Sequence, residues 1–245
     1  MKHCYLFSIK NRFKYFKSIC ETIVSKYQNK DTEIVLSVTD FNSDDADIEL
    51  FLKSLNVSYF YKNMTQKFNL GLGWNTAAHH NCIKDTDVLI FITNDAALGN
   101  DFDICETIKE NTIIGKKIFI PVHGCQDRSG SIHFAGGACL WSLYKADFKK
   151  IGDIPESETW SDCAKLKKDS KVPQYSWLNE NSHVGEDDFV VFNAIKNGYD
   201  IVRQNDSRII ARWHPRDLDD EWYGNSECLV SRGYLKSSPK WWNIT

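Results

Sequence analysis

The sequence contains no run approaching the roughly 20 apolar residues needed to span a bilayer, so nothing in it reads as a transmembrane helix. The apolar stretch from Met1 to Phe7 is too short for the core of a signal peptide and has the composition of a first strand. On these grounds the chain is expected to be cytoplasmic. No C-x-x-C pair occurs among the eight cysteines (Cys4, Cys20, Cys82, Cys105, Cys125, Cys139, Cys163 and Cys228), several of which sit in apolar stretches. That spacing argues against a structural zinc and against a dense disulfide framework, and leaves buried free thiols as the expected state. No G-x-G-x-x-G follows the first strand and no Walker lysine motif occurs, which excludes by motif a standard dinucleotide fold and a P-loop enzyme. Neither sign of charge dominates: 30 Lys and Arg stand against 33 Asp and Glu, a net charge of −3 with no general pull toward nucleic acid or an anionic membrane. Repeats, low-complexity tracts and clear linkers are also missing. What is left is an ordinary globular chain whose 245 residues, 42% of them hydrophobic, suffice for a sizeable core.

The most informative stretch present is Val88 to Asp95. Five apolar residues, Val88-Leu89-Ile90-Phe91-Ile92, predict a strand buried on both faces. It stops at Thr93-Asn94-Asp95. Two readings stand side by side: a turn, which Asn and Asp favour, or a ligand site, since open α/β sheets bind ligands beyond the carboxyl ends of their strands.

Around it the apolar pattern sets an element order. Strands are predicted over Cys4 to Ile9, Glu33 to Thr39 and Val57 to Tyr61, with helices between them over Phe13 to Tyr27 and Asp47 to Leu55. The polar loop Asp40 to Asp45 is expected to carry the cap of the second helix. This β-α-β-α-β order predicts a parallel sheet with helices on both faces. Lys10-Asn11-Arg12 and Asp40 then share one edge of it, where a nucleotide crevice is expected. Phe68 to Asn75 opens a helix reaching His80, and its glycines read as a tight turn or as a close backbone approach. A short helix is predicted near Phe102 to Lys109 and a strand over Lys117 to Pro121.

The second half is less regular. Gly136-Gly137 lie within Ile132 to Trp141, a short helix is expected over Lys145 to Lys150, and Glu156 to Gln174 reads as a long polar loop. Gly185-Glu186-Asp187-Asp188 opens a helix over Asp187 to Asn197, where the macrodipole favours acids in any case. Short strands follow over Asp200 to Arg203 and Arg208 to Trp213, ending in His214-Pro215-Arg216-Asp217. Asp101 and Asp103 read as helix-start acids. His79-His80 would point to different faces of a helix and make a poor metal pair. His123, His133 and His183 stay open as groups able to approach a site. Trp74, Trp141, Trp177 and Trp213 are each read as core first and as sugar-stacking platforms second.

Taken in order, Thr93-Asn94-Asp95, Gly136-Gly137, Gly185-Glu186-Asp187-Asp188 and His214 resemble the GT-A glycosyltransferases, over Ser8 to about Asp217. Asp40-Phe41-Asn42-Ser43-Asp44-Asp45 is similar to their D-x-x-S-x-D loop, and Phe68 to Asn75 to their F-N-x-G-x-x-x-N run. Gly185 to Asp188 and Arg212 to Asp217 look most like the G-E-D-D and R-x-H-x-R-D segments of β-1,4-galactosyltransferases and bacterial chondroitin-type polymerases. The family's metal motif is D-x-D, and Thr93 stands here in place of its first acid.

The resemblance implies an α/β fold of the GT-A (Rossmann-like) type, with a mixed, mostly parallel central sheet flanked by helices. It implies a single domain over 1–245, with 1–98 as nucleotide-binding half and 99–245 as acceptor-binding half and C-terminal extension. It implies donor contacts from Ser8, Lys10, Arg12, Asp40, Asn69, Gly73, Asn75, Thr93, Asn94, Gly136 and Gly137. Asp95 and His214 would hold Mn2+ or Mg2+, Asp187 would be the base, and Glu186 would bind the acceptor sugar. The implied activity is a metal-dependent, inverting transfer of a hexose or N-acetylhexosamine from a UDP-sugar to a glycan or glycolipid acceptor, in surface polysaccharide synthesis. No nucleic-acid partner is implied, and peripheral association with a membrane is compatible with it. Two alternatives remain: a retaining transferase of the polypeptide N-acetylgalactosaminyltransferase kind, or a weakly catalytic UDP-sugar- or glycan-binding module. A nucleotidyltransferase ranks last, because Lys10-Asn11-Arg12 lacks glycines.

Overall fold

The computed structural model describes residues 1–126, 132–135, 139–154, 190, 193–202 and 205–212. The chain begins with β1 (Lys2–Ile9) and runs through α1 (Phe13–Tyr27), β2 (Glu33–Asp40), α2 (Ile48–Ser54), β3 (Ser58–Asn63), α3 (Leu70–Ala78) and β4 (Val88–Ile92). There follow β5 (Ala96–Leu98), α4 (Ile104–Asn111), β6 (Lys117–Phe119), β7 (Val122–Gln126), β8 (Ile132–Ala135), β9 (Leu140–Tyr144), α5 (Lys145–Ile151), β10 (Asp200–Val202) and β11 (Asn205–Ala211).

Two sheets result. The larger has the order β10-β6-β9-β4-β1-β2-β3. β1 pairs in parallel with β2 and β4, and β2 with β3, whereas β9 runs antiparallel to both β4 and β6. The expectation of a mixed, mostly parallel sheet between helices is borne out. The smaller sheet, β5-β11-β7-β8, was not foreseen. In it β11 lies between β5 and β7, antiparallel to the first and parallel to the second.

Both faces of the large sheet are covered, which is why β1 and β4 are apolar almost throughout. Side chains alternate along a strand, so Tyr5, Phe7, Ile9, Val88, Ile90 and Ile92 join one core with Phe16, Ile19 and Ile23 of α1 and Ile104 and Ile108 of α4. Cys4, Leu6, Leu89 and Phe91 join the other, with Trp74 of α3, Phe148 of α5, Trp141, Val190 and Ala194. Phe91 and Trp141 stack with ring centroids 3.6 Å apart.

Short polar side chains start α2, α3 and α4, satisfying N–H groups that have no partner within the helix. Asp47 accepts from Leu50 N (2.9 Å), Asn69 from Leu72 N (2.8 Å) and Asp103 from Glu106 N (3.1 Å). The cap of α2 is thus Asp47, beyond the Asp40 to Asp45 loop where it was expected. Asp103 is the helix-start acid anticipated. α1 begins differently: Asn11 and Arg12 both take left-handed backbone (φ 56° and 65°), and the first helical N–H, that of Phe13, donates to the Asp45 carboxylate at 2.7 Å.

Opposite the carboxyl ends of the parallel strands, His3 is fully buried. Its Nδ1 lies 2.5 Å from Tyr27 Oη, which in turn accepts from Tyr5 Oη (2.9 Å), and its Nε2 has no partner among the described residues. Burial pushes the imidazole down to about 4. Of the cysteines with described side chains, Cys4, Cys20, Cys105 and Cys139 are buried free thiols and Cys82 is an exposed one. No helix among the described residues is long and apolar enough to cross a membrane.

Candidate functional site at the carboxyl edge of the main sheet

Register places the ends of β1, β2 and β4 side by side. Ser8 pairs with Thr39 and Ile9 with Asp40, while Leu6 pairs with Phe91, so Thr93 to Asp95 emerge next to the loops after β1 and β2. The first two loops are laced together. Asn11 N donates to Ser43 Oγ (2.7 Å), Asp44 N to Asn11 Oδ1 (3.1 Å), and Lys10 Nζ to the Asn42 carbonyl (2.8 Å). Asp40 is almost fully buried, and its carboxylate accepts from Ser43 N (3.0 Å), Ser43 Oγ (2.6 Å) and Tyr61 Oη (2.8 Å). Its observed work is to shape the 41–45 loop. The carboxylate in turn pushes the Tyr61 hydroxyl, already raised by burial, further above its ordinary value.

α3 approaches this edge through Gly73. A Cβ at that position would lie 2.0 Å from Ser8 Oγ and 2.6 Å from Ser8 Cβ, so the backbone of α3 comes so close to the Ser8 side chain of β1 that any residue larger than glycine would have to displace it. The close-approach reading of the glycine therefore holds. Asn75, also expected at the donor, faces elsewhere. Its Nδ2 donates to the Ile154 carbonyl (2.7 Å) and its Oδ1 accepts from Ile154 N (2.9 Å), tying α3 to the segment after α5.

At the end of β4 the chain turns sharply into β5. Thr93 N donates to the Cys139 carbonyl (3.0 Å) and Ala96 N to the Thr93 carbonyl (3.2 Å), while Thr93 Oγ1 is buried without a partner among the described residues. Asn94 is buried and Asp95 half-buried. The end of β11 docks on this turn: Arg212 N and Nε both donate to the Asp95 carbonyl, at 3.0 and 3.2 Å. The Arg212 guanidinium also reaches the carbonyls of Ala96 (3.0 Å) and Tyr15 (3.4 Å) and Ser18 Oγ (3.1 Å), with its carbon 5.3 Å from the centre of the Tyr15 ring. Burial lowers its pKa, and the nearby Asp95 carboxylate opposes that shift.

Of the residues expected at the site, Ser8, Lys10, Arg12, Asp40, Asn69, Gly73, Thr93, Asn94 and Asp95 are gathered at this edge, and Asn75 packs away from it. Gly136, Gly137, Glu186, Asp187 and His214 lie outside the described residues. His123 is buried next to the strand end, where its Nδ1 accepts from Cys139 N at 3.4 Å. His183 and the His133 side chain lie outside what is described. Trp74 and Trp141 are core residues, 2% and 1% exposed, and cannot stack on a bound sugar; Trp177 and Trp213 are outside the described residues. α3 ends at Ala78, short of the helix expected to reach His80, and the neighbours His79 and His80 diverge beyond its end, one meeting Asp153 and the other stacking on Phe60 at 3.7 Å.

Sequence reasoning missed Arg212, Asp45 and Tyr61. Arg212 and Asp45 lay inside quoted motifs, but only their partners reveal what they do. Among the described residues no group of three or more His, Cys, Asp or Glu could enclose a metal. A divalent cation resting here would need Asp95 together with non-protein oxygens or donors from outside the described residues. Carboxylate and phosphate oxygens are a donor set that suits Mg2+ or Mn2+.

No family model matches the sequence. Among solved structures the chain is similar to TarS (residues 1–349) of S. aureus in complex with UDP-GlcNAc, at 12% identity and a TM-score of 0.55, over 89% of this chain and 60% of that one. It is similar to the mannosyltransferase PcManGT from Pyrobaculum calidifontis in complex with GDP-Man and Mn2+, at 12% identity and a TM-score of 0.57, over 96% of this chain and 63% of that one. A third likeness is to glucosyl-3-phosphoglycerate synthase from Mycobacterium tuberculosis in complex with Mn2+, UDP and phosphoglyceric acid, at 9% identity and a TM-score of 0.54, over 95% of this chain and 78% of that one. The chain spans about three fifths of the length of the first two. At such identities the likeness is one of fold, and the fold is GT-A, as the motifs implied.

Proposed function

We propose that the protein is a metal-dependent glycosyltransferase that moves a hexose or N-acetylhexosamine from a UDP-sugar to a hydroxyl of a glycan or glycolipid acceptor, with inversion. The single observation that carries this reading is the meeting at one sheet edge of the laced β1 and β2 loops with the Asp95 turn, on which the end of β11 docks through Arg212. This is the edge where open α/β sheets bind nucleotides. The solved structures of this fold named above were determined with UDP-GlcNAc, with GDP-Man and Mn2+, or with UDP and Mn2+.

In this reading residues 1–98 hold the nucleotide. Lys10, Arg12 and the 41–45 loop that Asp40 shapes surround the nucleoside, while Ser8, Asn69 and Gly73 form the floor beneath it. Asp95 would hold the divalent cation, together with His214, two residues beyond Arg212. Bound there, it would supply positive charge against the negative charge that builds on the departing diphosphate. Gly136 and Gly137 leave room for the donor sugar. Asp187 takes the proton from the acceptor hydroxyl as its oxygen bonds to the anomeric carbon, the bond to the diphosphate breaks, and UDP leaves with the electron pair. Glu186 holds the acceptor by hydrogen bonds. Attack from the face opposite the diphosphate turns an α-linked donor into a β-linked product. Acceptors of the surface-polysaccharide class suit this reading.

One observation favours a second reading, that of a sugar-nucleotide-binding module without turnover. At Thr93, where the family's first acid would stand, the structure has a buried hydroxyl and no carboxylate. The two readings separate in an assay of UDP-sugar hydrolysis and transfer with Mn2+. The transferase reading expects turnover by the wild type and a loss of at least about a hundredfold in Asp187→Asn with UDP binding kept, the usual weight of a general base. UDP binding with no turnover of any UDP-sugar leaves the binding module. An α-linked product from an α-linked donor would overturn inversion.

A further inference from the structure

We propose that Arg212 is the positioning residue for metal-assisted nucleotide binding, holding the Asp95 turn at a fixed place relative to α1 and its nucleotide loop. The inference rests on the reading of Asp95 as a metal ligand.

Five side-chain contacts carry it. Nε bonds the Asp95 carbonyl (3.2 Å), Nη2 the carbonyls of Ala96 (3.0 Å) and Tyr15 (3.4 Å), Nη1 the Ser18 hydroxyl (3.1 Å), and the guanidinium faces the Tyr15 ring at 5.3 Å. Each hydrogen-bond acceptor is neutral. Withdrawing a guanidinium from water is costly, and burial does push this one down. A planar fork of five N–H groups can offset that cost by bonding several carbonyls in fixed directions, which the compact ammonium of lysine cannot do.

The acceptors belong to two separate pieces of the candidate site. Tyr15 and Ser18 lie in the first two turns of α1, the helix that starts from the left-handed Asn11-Arg12 pair and is capped by Asp45 of the β2 loop. Asp95 and Ala96 form the turn that leaves β4. The backbone N–H of Arg212 adds a third bond to the Asp95 turn at 3.0 Å, continuing the β11–β5 ladder. A shift of α1 against β4 would alter the span between the nucleoside loop and the Asp95 carboxylate, and the side chain of Arg212 opposes that shift directly.

The test is a calorimetric titration of UDP, with and without Mn2+, into wild type, Arg212→Lys and Ser18→Ala. Metal-free UDP affinity is expected to stay within about twofold in all three. The gain in UDP affinity on adding Mn2+ is expected to fall about tenfold in Arg212→Lys, the lower end of what loss of a partner behind a metal ligand costs, and two- to threefold in Ser18→Ala. A full gain in Arg212→Lys with only a lowered melting temperature would overturn the proposal and leave a plain structural staple. If Arg212→Lys does not fold, Ser18→Ala decides, and an undiminished gain there overturns it. A wild type that gains nothing from Mn2+ removes the metal reading of Asp95 itself, a different failure from a gain that survives the loss of Arg212.

Discussion

Gly73 shows how much of the candidate site depends on one missing side chain. Its would-be Cβ meets both Oγ and Cβ of Ser8, at 2.0 and 2.6 Å, and Phe41 Cε2 at 3.0 Å. The hydroxyl could rotate away, but the Ser8 Cβ is fixed by the β1 backbone. Gly73→Ala should therefore push α3 off the end of β1 and cost roughly 1–3 kcal/mol, the range for overpacking a filled interior. Urea denaturation measures it. Ser8→Gly in the same chain should recover much of the loss, a coupling that independent sites would not show. The glycine was readable in the sequence as a place where the backbone could come close; the residue it comes close to was not. Asp40 shows the same limit from the other side. Its place at a strand end was legible, but the three donors that engage it come from Ser43 and Tyr61, and only folding brings Tyr61 to it.

At the scale of elements, helix and strand positions in the first half followed from local periodicity, because each element there buries a face set by its own spacing. The helix expected over Phe13 to Tyr27 is α1 to the residue. β9 was not foreseen as a strand, since its five residues Leu140–Tyr144 run on from the Gly136-Gly137 segment straight into α5 with no turn signal between them. The small sheet escaped as well: β5 has three residues and β11 pairs with strands distant in sequence. Asn75 lies in a run resembling a nucleotide-binding motif, and an amide serves a nucleotide or a peptide group equally well. Here it pairs both ways with Ile154 and joins α3 to the segment after α5. Asn75→Ala would leave the N–H and carbonyl of Ile154 buried without those bonds, at a cost of about 2 kcal/mol or more. Hydrogen exchange at Ile154 N–H should quicken, while amides of β1 keep their protection. Unchanged exchange at Ile154 would mean that the amide pair contributes nothing to holding this segment.

Across the whole molecule, the carboxyl edge gathers the polar loops and the opposite edge holds the buried His3. Its imidazole is neutral in the fold, with its pKa depressed to about 4 against an ordinary 6.5. A depressed folded-state value means that the unfolded chain binds the proton first as pH falls. Stability should thus be full above about pH 6.5 and decline as pH drops toward 4, by about 3 kcal/mol from this group, an order-of-magnitude conversion. Urea midpoints between pH 7 and 4 should show the decline, and His3→Gln should flatten that part of it. A wild-type curve no steeper than that of the variant would mean that His3 is not the group titrating. Nothing in the sequence marked His3 for this role, because a histidine near the start of an apolar strand reads the same whether its ring is wet or sealed under Tyr27.

The placement of the five cysteines with described side chains also makes them a graded chemical reporter. Cys82 is open to a thiol reagent in the folded protein, whereas Cys4, Cys20, Cys105 and Cys139 are covered. Burial raises Cys4 to about 12 and Cys20 well above its ordinary value, so the reactive thiolate is scarce at both. A reagent therefore meets Cys82 on the amino-edge side of the sheet at once, and the covered thiols only when the structure around them opens. Cys139, whose carbonyl accepts from Thr93, stands beside the β4 turn and would time the opening of that strand end from within.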